Sequence, residues 1–433
     1  MRSAELIEKW ERDDVATLTR VSDGNHFSIS QDFVDEGVPY YRGQDVTGRF
    51  FVETAAPIHI TREAFDQKHM VRSHLKKGDV LLSIIGTIGE LSLVASEEPA
   101  TCSCKLAILR PRKVSPEYLA VFLRSEHGQN QIERMTRGAV QKGLILEDMD
   151  QLWVPQISET LERRLVKAVR LSRDTRDLNT QKRAEAEFAL LNVMGLSGWT
   201  PPEPLSYTAR SSEVFSSARL DARFFAPRIQ ALLDLLSVDG RCVGDVAQQR
   251  REKFRPANCT DFHYIEIGGI DGSGAATSTY LACSDAPSRA TWHVRPDDII
   301  TSTVRPIRRL SAQIAPEQDG YVCSSGFVVV QPQDIAPEVL LTYLRLPVIC
   351  ELLDLFASAS MYPAITDADI FNLPQPNSPN EATEEVTRKV QEAKAAKASA
   401  ANMLEAAKRA VEIAIEDGEP AAMTFLDQAE EAI

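Results

Sequence analysis

The chain has 433 residues, a hydrophobic fraction of 43% and a formal net charge of −14 at pH 7. This length predicts two or three domains, and the apolar fraction is sufficient to form a core in each. The negative charge argues against indiscriminate nucleic-acid binding, because phosphate contacts require Lys and Arg. No segment reaches the roughly 18 consecutive apolar residues of a membrane span, and the N-terminus lacks an apolar signal core, so we expect a cytoplasmic protein.

The first predicted domain covers residues 1–157. Apolar, β-branched runs bounded by turn residues predict short strands at 80–85, 91–94 and 106–109. A helix over about 116–134 follows them, because Pro116 after Ser115 is a favoured helix start. Strands followed by a helix indicate an α+β domain rather than a regular βαβ sheet.

A helical spacer with a linker is predicted over residues 158–204. From Leu161, Leu165 and Ala168 onward, core positions recur at alternating four- and three-residue spacing, which is typical of a coiled coil. At 1.5 Å per residue the helix would be roughly 50 Å long. Its core positions become polar in the middle, where buried Ser, Thr or Asn can fix the register at a cost in stability.

The second predicted domain covers residues 205–377. Strands are predicted at 262–267, 299–303 and 326–330, and helices at 229–236 and about 337–355. The last helix follows the strands, as in the first domain.

A second helical spacer is predicted over residues 378–417, followed by an acidic tail at 418–433. Ser378, Pro379 and Glu381 form the sequence of a capping box with proline at the first helical position. An unbroken heptad includes Val386, Val390, Ala393, Leu404 and Val411. Its simplest partner is the first spacer, which predicts an antiparallel coiled coil and a pseudo-two-fold molecule. The alternative is that each spacer packs on its own domain. The break at Gly418 and Pro420 predicts that the tail leaves the coil.

The two domains are related by duplication. Asp298 in the second domain matches Asp79 in the first, and Pro332 matches Pro111. The matching segments occur in the same order in both halves, at a nearly constant separation of about half the chain. Such a separation indicates duplication of a whole domain rather than a solenoid, whose periods are roughly 20–50 residues. Two similar domains on two helices predict a protein that recognises two similar targets at a fixed distance.

We find no sequence motif for catalysis. The chain lacks a dinucleotide-binding glycine motif, a complete P-loop, a metalloprotease helix and a nucleophile elbow. Its seven cysteines and seven histidines are scattered. Only Cys102 and Cys104 are close in sequence, and nothing nearby completes a zinc site. We therefore expect reduced, buried thiols and no metal.

The layout resembles the specificity (S) subunit of type I restriction–modification enzymes over nearly the whole chain. The segments that carry the resemblance in the first domain are Gly78-Asp79-Val80-Leu81, Gly86-Thr87-Ile88-Gly89, Ser115 to Leu119, Leu123-Arg124-Ser125 and Gly138 to Lys142. The second domain departs from this pattern at Arg305-Pro306-Ile307-Arg308 and at Tyr362-Pro363-Ala364-Ile365. The departure fits two domains that recognise different half-sites.

The resemblance implies a recognition subunit without chemistry of its own. It implies a double-stranded, bipartite DNA target with a fixed spacer, two methyltransferase (M) subunits as partners and, optionally, restriction (R) subunits. S-adenosylmethionine would be bound by the methyltransferase, which would methylate adenine N6 after base flipping. ATP and magnesium would belong to a restriction subunit. The helical pair would set the separation of the half-sites.

Base-edge recognition requires Arg, Lys, Asn, Gln, Ser or Thr on loops that enter a groove. In the first domain we predict DNA contacts from Arg62, Lys68, Arg72, Thr87, Arg137, Gln141 and Lys142. In the second domain we predict them from Arg250, Arg251, Lys253, Arg289, Arg305, Arg308, Arg309 and Tyr362. The subunit or coil interface is predicted to include Leu161, Leu165, Ala168, Val386, Val390, Ala393, Leu404 and Val411.

Two other functions agree with the sequence. One is an S-like DNA-recognition protein of another phage-defence system, which differs only in its partners. The other is a duplicated protein-interaction scaffold, which the negative net charge favours and the basic loops disfavour.

Overall fold

A computed structural model describes residues 2–55, 57–138, 142–217, 219–237, 240–357, 363–376 and 380–432. The chain divides into two compact units. Unit 1 consists of Met1–Asp177 with Ala396–Ile433, and unit 2 is the continuous segment Leu178–Ala395. Each long helix therefore contributes residues to both units.

The strands are short and occur in two similar series. Those of unit 1 are β1 (Arg12–Asp14), β2 (Thr19–Asp23), β3 (Phe33–Val34), β4 (Val38–Tyr41), β5 (Ile58–Ile60), β6 (Val80–Ser83), β7 (Leu91–Leu93), β8 (Thr101–Cys102), β9 (Leu106–Pro111) and β10 (Trp153–Pro155). Those of unit 2 are β11 (Ala247–Gln249), β12 (Asp261–Ile265), β13 (Thr279–Ala282), β14 (Ala290–His293), β15 (Ile299–Ser302), β16 (Ser311–Gln313), β17 (Val322–Ser324) and β18 (Phe327–Pro332).

The helices are mostly short, apart from two long ones. The helices up to the first long helix are α1 (Arg2–Ile7), α2 (Val15–Leu18), α3 (Gly43–Val46), α4 (Arg62–Phe65), α5 (Pro116–Arg124), α6 (Glu126–Met135) and α7 (Glu159–Val193). The later helices are α8 (Ser211–Ser217), α9 (Pro227–Leu236), α10 (Pro337–Arg345), α11 (Pro347–Phe356), α12 (Asp367–Phe371), α13 (Asn380–Asp417) and α14 (Glu419–Ala432).

The antiparallel sheet has the same strand order in both units, which agrees with duplication, whereas the edge strands of the second sheet differ. An antiparallel sheet has the order β2-β9-β6-β7 in unit 1 and β11-β18-β15-β16 in unit 2. A second, mixed sheet contains one parallel pair, β4 with β8 in unit 1 and β12 with β17 in unit 2. The register is also repeated, because Val80 faces Leu109 and Ile299 faces Val330.

The antiparallel sheet is the centre of each unit because both of its faces are buried. In unit 1, Val80 and Leu109 pack against α5 and α6, whereas Leu81 and Ile108 face a smaller cluster on the other side. Unit 2 repeats this arrangement. A strand buried on both faces consists of continuous apolar residues, which explains why these strands are evident from the sequence.

The helix predicted over 116–134 is wrong, because two helices occupy this range. The chain breaks at Ser125, whose hydroxyl accepts a hydrogen bond from the backbone N–H of Gly128 and caps α6. The prediction over 337–355 is wrong in the same way. There the break lies at Leu346, because proline at position 347 cannot continue the preceding helix.

In unit 1 the first part of α7 packs antiparallel to the second part of α13. Leu161 and Leu165 share a buried core with Val411, and Ala168 and Leu404 are partly buried against it. The Ser172 hydroxyl donates a hydrogen bond of 2.7 Å to the Ala400 carbonyl. This hydroxyl satisfies its hydrogen bond inside the helix pair, as the register role of a polar core position requires.

In unit 2 the second part of α7 packs antiparallel to the first part of α13. Val386 and Val390 are buried in one cluster with residues of α7, and Ala393 is fully buried. Ion pairs flank this seam, with 2.7 Å between Lys389 and Glu185 and 3.1 Å between Lys182 and Glu392. The predicted capping box before α13 lies outside the described residues.

The acidic tail forms a helix rather than an extension away from the coil. The chain does break at Gly418, whose φ of +95° favours glycine. Beyond the break, Ala422 and Leu426 join the core of unit 1, and Arg164 of α7 forms an ion pair of 2.6 Å with Asp427. The tail is thus part of unit 1.

Other expectations concern thiols, metals and membranes. Cys259 and Cys283 form a disulfide, so the expectation of reduced thiols is wrong for this pair, whereas Cys102, Cys323 and Cys350 are free and buried. Among the described residues, no group of three or more His, Cys, Asp or Glu side chains could hold a metal ion. Within the same residues, no helix is both long and apolar enough to cross a membrane.

Candidate nucleic-acid interface

In unit 1 the conformation of the loop after β6 is stabilised by hydrogen bonds of side-chain hydroxyl groups. Ser83 ends the strand, and its Oγ lies 3.1 Å from Oγ1 of Thr87. Thr87 also donates a hydrogen bond of 3.3 Å to the carbonyl of Gly43 at the start of α3. Gly86 and Gly89 both adopt a φ of +88°, which allows the tight turn that presents the exposed Thr87.

A second segment pairs with this loop and brings more of the predicted residues to it. The backbone of Ile85 pairs with that of Gly143, and Gly143 also pairs with Arg137. The predicted residues Thr87, Arg137 and Lys142 therefore lie on two adjoining loops. Gln141, which belongs to the same segment, lies outside the described residues.

The basic residues of these loops differ in how they are held. Arg137 forms an ion pair of 2.8 Å with the buried Asp148, and its side chain remains 60% exposed. Lys142 is exposed. Because the ion pair uses one edge of the Arg137 guanidinium, its other N–H groups remain available to a ligand.

Arg72 lies at the same end of the antiparallel sheet as Thr87. It forms an ion pair with Asp23, the last residue of β2, which faces Ala107 of β9. Ser83, which holds Thr87, faces the adjacent Leu106. Arg62 and Lys68 are exposed nearby in sequence, and Arg62 is paired with Asp66 at 2.8 Å.

Two aromatic groups beside Arg72 were not predicted. Phe27 follows the end of β2 and is 58% exposed, and its ring lies 4.4 Å from that of His69. His26 next to it approaches Asp23 to 2.5 Å. The sequence signal for this patch is a phenylalanine directly after the polar turn residues Gly, Asn and His, a position where its ring is expected to be exposed. Exposed aromatic rings are favoured at binding surfaces.

Unit 2 builds the corresponding loop with arginines in place of glycines. Arg305, which occupies the position of Gly86 when β15 is aligned with β6, adopts a left-handed backbone with φ +53°, and Arg309 does so with φ +58°. A left-handed non-glycine residue costs about 1 kcal/mol or more and persists mainly at functional sites. Arg308 in the same loop is exposed, and within the described part of the chain its side chain has no ion-pair partner.

The loop of unit 2 has the same neighbouring segment as that of unit 1. The backbone N–H of Arg305 donates a hydrogen bond of 2.8 Å to the carbonyl of Pro363, and Val304 pairs with Ala364. Tyr362, the residue before Pro363, lies outside the described residues. Arg251 forms an ion pair of 2.7 Å with Asp367, the counterpart of Asp148. Lys253 and Arg289 are exposed on separate loops.

Two predicted arginines are mostly buried in unit 2, with 20% of the Arg250 side chain and 35% of the Arg309 side chain exposed. Arg250 donates two hydrogen bonds, of 2.7 and 3.1 Å, to Asp298, which is only 1% exposed. Burial raises the pKa of Asp298, against the opposing effect of Arg250. Unit 1 has the same device, in which Arg110 holds the buried Asp79. Arg309 forms an ion pair with Glu187 of α7, which turns it away from Arg308.

Comparisons with known proteins give structural neighbours only. No protein-family model and no curated protein matches the chain. It is similar to the type I restriction–modification S subunit from M. genitalium, with 11% identity, a TM-score of 0.38 and coverage of 97% of this chain and 96% of that one. It is also similar to the HsdS subunit from Thermoanaerobacter tengcongensis, with 16% identity, a TM-score of 0.29 and coverage of 97% and 96%.

A third neighbour comes from work on complex assembly and conformational transition of the type I R-M system. It has 17% identity, a TM-score of 0.29 and coverage of 97% of both chains. The first two neighbours are named as S subunits, the class of protein that the sequence resembles. Because their TM-scores are below 0.5, the function proposed below rests on the residues of this chain.

Proposed function

We propose that this chain is the DNA-specificity subunit of a type I restriction–modification system, in which each unit recognises one half of a bipartite target. The observation that carries the proposal is the duplicated loop architecture with different side chains. The same strand end presents Thr87, Arg137 and Lys142 in unit 1 but Arg251, Arg305 and Arg308 in unit 2. Two units with a similar fold but different loop residues are suited to recognising two different half-sites.

The residue types on these loops support DNA recognition. Arg and Lys form bidentate hydrogen bonds with guanine or contact phosphates, and Thr donates to or accepts from base edges. Lys142, Lys253 and Arg308 are exposed, so a ligand can reach them without breaking the fold. Arg250 and Arg309 are excluded from the proposed interface, because their side chains are mostly buried beside Asp298 and Glu187.

The chain requires partners to act. Its net charge of −14 gives weak non-specific attraction to DNA, so we propose that two methyltransferase subunits supply additional positive surface. They also supply the S-adenosylmethionine chemistry, and this chain contributes recognition without catalysis. Restriction subunits that bind ATP and magnesium complete the system where present.

The two long helices set the gap between the half-sites in this proposal. Each helix contributes one part to unit 1 and the other part to unit 2, so both units are joined to the same two helices. Insertion or deletion of whole turns in both helices would change the length of the gap without changing either half-site.

Methylation mapping tests the proposal. The chain is co-expressed with the methyltransferase encoded beside it in a host without DNA methylation, and N6-methyladenine is mapped by sequencing. The expected result is a bipartite motif with a constant gap, which is absent when this chain is omitted. The same motif without this chain, or a stable complex without new methylation, would contradict the proposal. Absence of any complex would favour the protein-interaction scaffold.

A matched pair of variants assigns the half-sites. Arg308→Gln is expected to relax only one half of the motif, and Thr87→Val only the other, because they lie on equivalent loops of different units. The control is Arg241→Gln, an exposed arginine outside the proposed interface. Both variants relaxing the same half would contradict the assignment of one unit to each half-site.

A further inference from the structure

Unit 2 contains a cavity of about 260 Å³ lined by α7, α10 and the loop that follows β15. Three arginines line it: Arg183 from α7, Arg309 from the loop and Arg345 from the end of α10. Such a group of cations is unusual inside a domain, because buried arginines are normally paired with carboxylates.

Arg345 is the most buried of the three, with 7% of its surface exposed. Its guanidinium donates to the backbone carbonyls of Arg309, Ser311 and Gly272 at 2.6, 2.8 and 2.5 Å. Among the described residues, no carboxylate forms an ion pair with it. Burial, followed by the charges of Arg309 and Arg183, lowers its pKa to about 10. Backbone dipoles therefore provide the direct contacts to its positive charge.

The other two arginines also have N–H groups that are available to a ligand. Arg309 pairs with Glu187, but its Nε is buried and has no hydrogen-bond partner in the described part of the chain. Within the described residues, Nε of Arg183 donates to Oδ1 of Asn179 at 3.1 Å, and burial lowers the pKa of this arginine. Glu187 and Asp271 are the carboxylates that act on Arg345, so the group has three positive charges and two negative ones.

Unit 1 provides an internal comparison for this cavity. Equivalent ion pairs show which positions of α7 and α13 correspond. Glu117 of unit 1 pairs with Arg170 of α7, and its counterpart Glu338 of unit 2 pairs with Lys394 of α13, so Arg170 corresponds to Lys394. The same alignment makes Ala186 of α7 correspond to Ala410 of α13. Both alanines are fully buried, which supports the alignment.

The same alignment places fully buried Ala407 and Val411 of unit 1 where unit 2 has Arg183 and Glu187. The duplicated fold therefore accommodates apolar packing at this site. Apolar packing in place of buried ionic groups is often as stable or more stable. Arg183 and Glu187 are therefore not required by the fold, whereas Arg345 has an arginine counterpart, Arg124, in unit 1. The presence of Arg183 and Glu187 in unit 2 points to a role in binding.

We propose that this cavity of unit 2 binds a phosphate-type oxyanion through Arg183, Arg309 and Arg345. The planar guanidinium forks match the geometry of phosphate oxygens, and each charge-assisted hydrogen bond is stronger than a neutral one. An anion also balances the positive excess and gives Nε of Arg309 an acceptor. The site is independent of DNA recognition, and its phosphate comes from a free phosphate compound, because Arg309 lies outside the proposed DNA interface.

The test is phosphate binding by the full chain in the absence of DNA. Inorganic phosphate is expected to raise the midpoint of thermal unfolding relative to chloride at equal ionic strength, with saturation, and to give a binding isotherm by calorimetry. The double variant Arg183→Ala with Glu187→Val installs the residues of unit 1 and is expected to fold but to lose the response. Arg241→Gln, an exposed arginine outside the cavity, is the control that should retain it.

A second variant keeps the test decisive if the double variant does not fold. Arg183→Gln preserves most of the side chain and its hydrogen bond to Asn179, and it is expected to weaken phosphate binding roughly ten-fold or more. Absence of a saturable phosphate response in the wild-type chain would overturn the proposal. So would an unchanged response in the folded double variant.

The source of the phosphate follows from a parallel measurement with a DNA duplex and with adenosine monophosphate. Adenosine monophosphate is expected to compete with inorganic phosphate, and the double variant is expected to bind the duplex as tightly as the wild-type chain. Displacement of inorganic phosphate by the duplex would contradict a free compound as the source. Because phosphate binding is measured without DNA, failure of this proposal is distinguishable from failure of the proposed specificity function.

Discussion

Replacing Arg308 with alanine tests the proposed DNA interface of unit 2 at one exposed side chain. Each phosphate contact contributes about 0.9 to the slope of log affinity against log salt concentration. If Arg308 contacts one phosphate, Arg308→Ala reduces this slope by about 0.9. At about 0.15 M salt the same relation gives a loss of roughly five-fold in affinity, or about 1 kcal/mol. A base contact would instead cost about 1–3 kcal/mol and change recognition of one base.

The neighbouring Arg309 is the matched control, because its charge is held within unit 2. Its guanidinium is paired with Glu187 of α7 and lines the cavity of unit 2. Arg309→Ala is expected to keep the salt slope and to lower the stability of unit 2 by about 1 kcal/mol. The double variant should therefore have the same slope as Arg308→Ala alone.

The assay is fluorescence anisotropy of the complex with its methyltransferase on a labelled duplex that carries the mapped motif. Salt is varied between about 50 and 200 mM, the range over which phosphate contacts dominate the change. Equal affinity and equal slope for the wild-type and Arg308→Ala proteins would refute the placement of this loop at the DNA. A slope change for Arg309→Ala would refute its exclusion from the DNA interface.

Three further predictions concern stability, each measured by urea or thermal unfolding. Asp298→Asn is expected to cost about 2–4 kcal/mol, because it leaves Arg250 without its buried carboxylate; a cost below about 1 kcal/mol would contradict this. Ser172→Ala removes the hydrogen bond to Ala400 and should cost about 1 kcal/mol, whereas an unchanged midpoint would show that this bond contributes nothing. Hydrogen bonds from Lys389 and Gln181 lower the pKa of Glu185 to about 2, from 4.5. Its contribution to stability is therefore complete above about pH 4.5 and lost as the pH falls toward about 2, and Glu185→Gln should lack this step.

The parts of the fold that the sequence predicts are those governed by local pattern. The strand that begins at Val80 and its counterpart at Ile299 are buried on both faces, so their apolar runs are continuous. The long helices follow from heptads that contain Leu161 and Val386. The missed break at Pro347 was visible in the sequence, because proline inside an apolar helical pattern ends the preceding helix.

The sequence did not predict which site residues are paired with carboxylates, because those carboxylates lie far away in the sequence. Arg250 looks like an accessible cation in a basic cluster, but Asp298, 48 residues away, holds it in the interior. Arg309 has its carboxylate 122 residues away, on a helix of a different segment. Sequence spacing gives no indication of such pairs, because the fold alone brings their elements together. The grouping of Thr87 with Arg137 likewise depends on pairing between the backbones of Ile85 and Gly143.

The division of the chain between the units has a consequence for protein synthesis. Unit 2 is one continuous segment, Leu178–Ala395, whereas the core of unit 1 includes Ala407, Val411 and Leu426 from the end of the chain. Domains generally fold as units while the ribosome adds residues, starting with the N-terminal one. Here the order is reversed, because unit 1 lacks part of its core until residues that follow unit 2 emerge. A product that terminates early would contain a complete unit 2 and an incomplete unit 1 with its apolar face exposed to chaperones and proteases.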